Sequence, residues 1–221
     1  MKKLLIALVV VAIASVAQAE LLATWTFDAG ASSVSTNSSA VNIDKVTFGE
    51  LTRVNLGTAS TNANQFSSNN WGVEGHGISL GITVASGYEI ASATIGVGGL
   101  NGSNTGPGTL QWSLGYTGGT AFGTDVGTAW TVAFKSGDSV HADVAVGTIG
   151  AGTNTLFLRS TGGQVATPTA TPPATAGSAR LLTNMTMSGT IQSTTPIPEP
   201  ATMGLLGLGA LALALRRKMS K

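Results

Sequence analysis

The chain has 221 residues, no cysteine, 43% hydrophobic residues and only 10% charged ones, and its 30 glycines are a high number. Soluble domains average about 25% charged residues, so Thr, Ser, Asn and Gly must cover this surface, as in an extracellular β-protein rich in turns. The lack of cysteine excludes disulfides and thiolate metal sites. Residues 21–197 carry five basic and eight acidic side chains, a net charge of −3 without any basic stripe, which excludes a nucleic-acid partner.

The N-terminal residues have the three parts of an export signal. Lys2 and Lys3 form a positive n-region, residues 4–14 form an apolar run, and Ala17 and Ala19 form an A-x-A cleavage site. The lysines stay on the cytoplasmic side, the apolar run enters the membrane as a signal helix, and small side chains fit the signal peptidase. We therefore predict that residues 1–19 are a signal peptide, which signal peptidase cleaves before Glu20.

A second ordered set of signals begins at Pro198. Two prolines hold Pro198-Glu199-Pro200 extended, because proline cannot donate a backbone hydrogen bond and restricts its predecessor. Residues 201–215 are uncharged, and as a helix they would rise about 22 Å, less than the hydrocarbon core of about 30 Å. Arg216, Arg217 and Lys218 then form a basic cluster that stays cytoplasmic. Residues 194–200 are thus predicted to be a linker, and residues 201–221 a short transmembrane helix with a basic end.

This arrangement resembles the PEP-CTERM sorting domain of bacteria that produce extracellular polysaccharide. The resemblance rests on the Pro-Glu-Pro, the Ala-Thr, the Gly/Leu-rich segment and the paired arginines, on a chain that also has a signal peptide. It implies an exosortase, a membrane-embedded cysteine protease-transpeptidase, as the processing partner, with Pro198, Glu199 and Pro200 as substrate recognition residues. It further implies transient insertion in the inner membrane, followed by a cell-surface or extracellular location. The alternative is an ordinary short anchor with a coincidental Pro-Glu-Pro.

Residues 20–193 show the period-2 alternation of half-buried strands. The alternation is plain over residues 78–84 and returns over residues 22–27, 41–48, 110–116, 130–134, 140–146, 156–158 and 185–191. Polar and glycine-rich clusters are predicted to separate these strands at residues 67–70, 98–108, 118–119, 136–138 and 150–154. The proline-containing residues 162–177 are predicted to be an exposed loop. We predict an all-β fold, an antiparallel two-sheet β-sandwich that is jelly-roll-like.

The aromatic residues offer one candidate binding site. Trp25, Trp112 and Trp130 fall in phase with the apolar residues and are predicted to lie in the core. Trp71 instead follows a polar run of two serines and two asparagines, where its ring could stack on a sugar. Tyr88 is a second candidate platform. The alternative for Trp71 is a side chain that folds back onto the sandwich.

Polar candidates for catalysis or metal binding are weak. Glu74 and His76 would share a strand face, but the glycines around them predict a turn. The remaining candidates are Asp138 with Asp143, an odd number of residues apart, His76 with His141, 65 residues apart, and the loop Asn101–Asn104, which lacks carboxylates for calcium. We predict no catalytic residue, no metal and no cofactor.

The sequence therefore predicts a non-enzymatic exported surface or extracellular-matrix protein that is sorted and processed through its tail. Its possible partner beyond the processing enzymes is extracellular polysaccharide. The alternative is a carbohydrate-binding, lectin-like module on the same scaffold, because fold alone does not determine function. A third hypothesis, an enzyme acting on polysaccharide through Glu74, would need a second facing carboxylate.

Overall fold

The computed structural model describes residues 19–36, 44–58, 61–62, 64–102, 106–134, 141–161, 178–195, 204 and 207–209. Residues 18–194 form one compact unit, and residues 1–17 with 195–221 form a second. In the second unit, Gly204 and residues 207–209 are helical. Within the described ranges, no helix has the length and hydropathy to span a bilayer. The predicted signal helix, Ala17, Pro198–Pro200, the basic cluster Arg216–Lys218 and the loop 162–177 lie outside the described residues.

The larger unit is built from β-strands. In chain order they are β1 Glu20–Asp28, β2 Ala31–Thr36, β3 Val46–Val54, β4 Gly57–Thr58, β5 Gln65–Asn69, β6 Gly77–Val84, β7 Tyr88–Gly102, β8 Thr109–Leu114, β9 Thr124–Thr131, β10 Ala133–Phe134, β11 His141–Ile149, β12 Gly152–Ser160 and β13 Ala179–Ser193. They form an eight-stranded sheet and a five-stranded sheet. The strand pairs are antiparallel except the two-residue pair of β10 with β7. The predicted all-β fold of two antiparallel sheets is confirmed.

The connections between the sheets follow a jelly roll. In the larger sheet β1, β13, β7 and β11 lie side by side, and in the smaller sheet β6, β12, β8 and β9 lie side by side. The chain crosses between sheets from β1 to β6, from β6 to β7 and from β7 to β8, and it crosses again on each step from β9 through β11 and β12 to β13. This is the strand order of a jelly roll with two Greek keys. β2 and β3 extend one edge of each sheet.

The core lies between the two sheets and follows the predicted alternation. In β6 every second residue, from Ile78 to Val84, is buried against the larger sheet, while Gly81 and Thr83 are exposed. Trp25 and Trp112 are fully buried, as predicted, whereas the side chain of Trp130 lies outside the described part of the chain. Burial of this continuous apolar layer is the main stabilising contribution to a chain without disulfides.

Two predicted turn clusters are wrong because they belong to strands. Ser67 and Ser68 are buried in β5, where Arg53 donates to the Ser68 hydroxyl and to the Ser67 carbonyl. The cluster predicted at residues 98–108 begins inside β7, which pairs with β13 as far as Gly102. The sequence alternation of β7 is broken by Ser92, whose φ of 51° lies in the left-handed region and shifts the register.

Polar side chains fasten β3 across the sandwich to the larger sheet. The indole N–H of Trp25 donates to the Gly49 carbonyl at 2.8 Å, and the Leu51 amide donates to the Ser32 hydroxyl at 2.9 Å. Both bonds meet β3 where its pairing with β6 shifts between Phe48 and Leu51, so they satisfy backbone groups that the shift leaves unpaired. The two sheets are therefore joined by hydrogen bonds at this corner.

Arg53 makes the third connection. Its Nη2 donates to the carbonyls of Gly30 at 2.6 Å and Ser67 at 2.8 Å, and its Nε donates to the Ser68 hydroxyl at 3.0 Å. The guanidinium lies over the Phe66 ring at 3.9 Å. Burial lowers the pKa of Arg53 from its ordinary value, because desolvation disfavours the charged form. The guanidinium nevertheless stays protonated at neutral pH, so it contributes charge-assisted hydrogen bonds.

Candidate functional site

An aromatic stack lies on the outer face of the five-stranded sheet. In β12, Leu156 and Leu158 point into the core, so Phe157 between them points outward, yet it is 0% exposed. Tyr116 covers it with a ring centroid distance of 3.9 Å and an interplanar angle of 12°. Phe122 lies nearly parallel to the same ring at 5.7 Å and 21°. The loop that carries Tyr116 and Phe122 therefore buries Phe157 on the outer face of β12, as the core between the sheets buries Leu156 and Leu158 on the inner face.

Glycine allows this loop, residues 115–123, to fold back over the sheet. Gly115 and Gly123 have φ angles of 93° and 79°, in the left-handed region that side chains disfavour. The amides of Gly115 and Tyr116 both donate to the Thr155 carbonyl, at 2.9 and 3.3 Å. The sequence placed Tyr116 in phase with the core residues of β8, and this prediction is wrong because Gly115 ends the alternation. Tyr116 therefore lies on the outer face.

A second segment on this side of the molecule is the turn of residues 70–77. His76 N donates to the Val73 carbonyl at 3.2 Å, which confirms the turn predicted from the glycines. His76 Nδ1 lies 2.9 Å from the Asn70 carbonyl oxygen. A carbonyl can only accept, so Nδ1 carries the hydrogen and Nε2 is left as an acceptor in the neutral ring. Glu74 is exposed in the same turn.

Between the turn, the loop and the end of β12 lies a cavity of about 350 Å³. Its lining consists of residues 71–76, Phe122 and residues 159–161. It therefore combines two aromatic residues, the buried Trp71 and the half-buried Phe122, with a carboxylate, an imidazole, a guanidinium and two hydroxyl groups. Apolar walls with a few convergent polar groups are typical of small-molecule sites.

Arg159 is held at the floor of this cavity. Its Nη2 donates to Asp125 Oδ1 at 2.7 Å, and its guanidinium carbon lies 4.7 Å from the centre of the Phe122 ring. Its Nε and the Ser160 hydroxyl are buried without a hydrogen-bond partner. An unpartnered buried polar atom costs about 1–3 kcal/mol, and the described part of the chain bears this cost at Gln65, Asn69 and Trp112 as well.

Trp71, the candidate for sugar stacking, belongs to the lining of the cavity but exposes almost none of its surface. Trp71 is 1% exposed, belongs to the core cluster, and its indole N–H donates to the Ser68 carbonyl at 3.0 Å. Its ring is therefore covered by protein, which is the alternative that the sequence left open. Tyr88 is partly buried against the core and has the Lys45 ammonium 4.7 Å from its ring centre.

The structure does not bring the other polar candidates together. Glu74 and His76 share the cavity, but its lining contains no second carboxylate. Asn101 pairs with Arg180 and Ala133 as part of β7, so it lies in a strand and not in the glycine- and asparagine-rich turn predicted there. Asp138 and the side chains of Asp143 and His141 lie outside the described residues. Among the side chains that are described, no three His, Cys, Asp or Glu residues approach closely enough to hold a metal ion.

Sequence reasoning missed Phe157, Phe122 and Arg159. One signal was available, because Leu-Phe-Leu at residues 156–158 places a large apolar side chain out of phase with its neighbours. An apolar residue on the outer face of a strand needs a cover, and the structure supplies it with Tyr116 and Phe122 of the glycine-rich loop. No signal in the sequence predicts that the turn 70–77 meets this loop.

Comparison with known proteins adds one match. Residues 196–218 match the family described as PEP-CTERM protein-sorting motif. No curated protein and no solved structure matches the chain. The match covers the predicted Pro198-Glu199-Pro200, the uncharged run and the basic cluster, and it supports the resemblance drawn from those residues. Residues 196–218 are therefore a PEP-CTERM sorting motif, and this motif implies exosortase-dependent sorting of an exported protein.

Proposed function

We propose that this chain is a non-enzymatic exported surface or extracellular-matrix protein whose body binds saccharide in the cavity beside Phe122. The observation that carries the proposal is the cavity itself, where the half-buried Phe122 ring and the side chains of Glu74, His76 and Arg159 line one space. A sugar ring has an apolar face that stacks on an aromatic ring and hydroxyl groups that both donate and accept. His76 Nε2 and Glu74 are acceptors at this cavity, and Arg159 is a donor.

Binding without turnover is favoured by the acid residues around the cavity. Glycoside hydrolysis uses two carboxyl groups on opposite sides of the scissile bond. Glu74 is the one carboxylate of the cavity lining, and Asp125 is engaged by Arg159 at 2.7 Å. A site of this composition supports recognition of a sugar without a paired acid and base.

The delivery pathway supports the location of this activity. We propose that signal peptidase removes residues 1–19, that residues 201–221 insert transiently in the inner membrane, and that an exosortase releases the body towards the cell surface. Intact-mass and terminal-peptide mass spectrometry on protein from the native host tests these steps. The expected chain starts at Glu20 and ends near Pro198–Pro200. A chain that still carries Arg216–Lys218 would contradict the exosortase step.

A binding assay tests the saccharide proposal. The body, residues 20–194, has its own core and can be produced alone. It would be screened against immobilised polysaccharides, followed by titration calorimetry on the glycan that binds. Phe122→Ala should lower the affinity by about tenfold, which corresponds to about 1.4 kcal/mol for a lost stacking contact.

The matched control is Thr186→Ala, a truncation on the outer face of the other sheet, which should leave affinity unchanged. Circular-dichroism melting curves establish that both variants are folded. Unchanged affinity in folded Phe122→Ala, or no bound glycan in a broad panel, would contradict the proposal.

A further inference from the structure

The outer face of the five-stranded sheet continues beyond the aromatic stack as a strip without large side chains. Gly81 lies in the middle of β6, is exposed, and has no atom within 4 Å of the position that a Cβ would take. Its φ is not left-handed, so its backbone does not require glycine. Glycine inside a strand often marks a bulge or a place where a ligand or another backbone approaches closely. Gly81 lies opposite the register shift of β3 between Phe48 and Leu51, and it also leaves the outer face of the sheet open to a ligand.

The residues around Gly81 are small and carry hydroxyl groups. Thr155 of β12 lies opposite Gly81 in the register, and Thr83 lies between Thr47 of β3 and Thr153 of β12. Thr47, Thr83 and Thr153 are exposed. Three threonines in one row across three strands, next to an exposed glycine, form a surface without protruding side chains. Their hydroxyl groups can both donate and accept hydrogen bonds. We refer to Gly81, Thr83, Thr47, Thr153 and Thr155 as the threonine strip.

The threonine strip is continuous with the proposed saccharide site. Outward residues of β12 run from Arg159 at the cavity through Phe157, under Tyr116, to Thr155 and Thr153. Six residues of an extended strand span about 20 Å. A ligand that leaves the cavity along β12 therefore meets the ring of Tyr116 first and then the strip.

Charge decides which polymer suits this path. The strip itself carries no charged residue, and the nearest ones along the chain have opposite signs: Lys45, whose ammonium lies 4.7 Å from the Tyr88 ring centre, and Glu50, which is exposed in the irregular part of β3. The cavity contributes Glu74 and an Arg159 already neutralised by Asp125. The body as a whole is mildly acidic. An anionic chain would be repelled, whereas an uncharged one pays no electrostatic penalty.

We infer that the threonine strip extends the cavity into a cleft for an internal stretch of a neutral polysaccharide chain, with one sugar in the cavity and its neighbours along β12. This inference rests on the proposed function, because it assumes a sugar beside Phe122. It predicts recognition of chain interiors, whereas the cavity alone would recognise a single sugar.

Oligosaccharide length provides the test. Calorimetric affinities of the body would be measured for a ladder from disaccharide to hexasaccharide of neutral glucan, mannan and galactan series, using the series that binds. For the unmodified body, affinity should rise with length. Gly81→Tyr should remove most of this gain, at least about tenfold for the longest member, and leave the disaccharide affinity unchanged.

Gly81→Tyr is suited to this purpose because tyrosine is a good strand residue and meets no atom there. Ser35→Tyr, at an exposed position of β2 on the outer face of the other sheet, adds the same side chain away from the path and should behave like the unmodified body. Anionic chains such as alginate should bind more weakly than neutral ones.

The outcomes separate the two claims. Equal affinity for all lengths, or a Gly81→Tyr variant that keeps the full gain, overturns the cleft while sensitivity to Phe122→Ala preserves the proposed function. If the unmodified body binds none of the glycans, both the cleft and the proposed function are overturned. A dimer that dissociates in Gly81→Tyr would assign the strip to a second copy of the chain and also overturn the inference.

Discussion

The two sheets obey one alternation rule, but their outer faces differ. On the eight-stranded sheet the outward residues of neighbouring strands are hydroxyl-bearing and in register, as where Thr24 pairs with both Ser35 and Thr186. Their contacts are local, such as the 2.8 Å bond between the Thr26 and Ser33 hydroxyls. On the five-stranded sheet the same rule places Phe157 outward, and a loop covers it with Tyr116.

The outer face of the five-stranded sheet is where the chain departs from what the fold requires. A sandwich needs one apolar layer, and the outer face of the larger sheet has the polar residues expected of a solvated surface. The aromatic stack on the other face is a second apolar layer that no sheet covers. Regions that break the pattern at a cost in local consistency are often functional. Variants on each outer face test whether the two faces differ in their contribution to stability and in their role, as they differ in composition.

The largest expected effect is on the stack. Phe157→Ala should lower the free energy of unfolding by about 3–5 kcal/mol, because a fully buried ring is removed from between the sheet and its loop. Thr186→Ala, at a partly exposed position on the outer face of the other sheet, should cost less than about 1 kcal/mol. Urea unfolding of both variants measures this contrast. Similar losses of unfolding free energy in the two variants would mean that the stack stabilises the fold no more than an ordinary surface residue does.

An intermediate effect is expected where the sheets are joined. Arg53→Met should cost about 2–3 kcal/mol, because it keeps much of the apolar stem but leaves the Gly30 and Ser67 carbonyls without their donor. Arg180→Met on β13, a half-buried arginine, is the control and should cost less. Burial lowers the pKa of Arg53, but the guanidinium is protonated in both the folded and the unfolded chain at pH 5–8, so folding changes its proton binding only at strongly alkaline pH. The cost should therefore be the same at pH 5 and pH 8, and a cost that changes over this range would contradict this account.

The smallest effect on stability is expected at the ion pair. Asp125 is half exposed, so Asp125→Asn should change the free energy of unfolding by less than about 1 kcal/mol. It should reduce saccharide affinity more clearly, since the carboxylate holds Arg159 over Phe122. Asp28→Asn, at the exposed end of β1, serves as the control in both thermal melting and binding. A large loss of stability without a change in affinity would make the pair structural.

The sequence predicted the sandwich well because its signal is local. The alternation predicted over residues 78–84 agrees with the burial of every second residue in β6, since a strand between two neighbours must bury one face. The register shift at Ser92 obscured β7, and the polarity of Ser67 and Ser68 obscured β5, because their partner is Arg53. Both errors come from contacts that depend on residues far away in the chain.

The site was harder to predict for the same reason. Trp71 was singled out by its polar neighbours, but tertiary packing buries its ring. The residues that meet at the cavity come from three separate segments, and nothing within any one segment specifies the other two. The sorting motif, by contrast, is a continuous stretch read by other proteins, so its residues are recognisable without a fold.

One feature of the topology sets the order of events during export. β13 lies between β1 and β7 in the larger sheet, and it is the last strand before the sorting motif. Glu20 pairs with Gly189, so the first strand waits for nearly the whole body before its central neighbour exists. A chain that crosses the membrane from its N-terminus can therefore finish folding only when the segment next to the exosortase signal has emerged. Completion of the fold and presentation of that signal are in this way timed together.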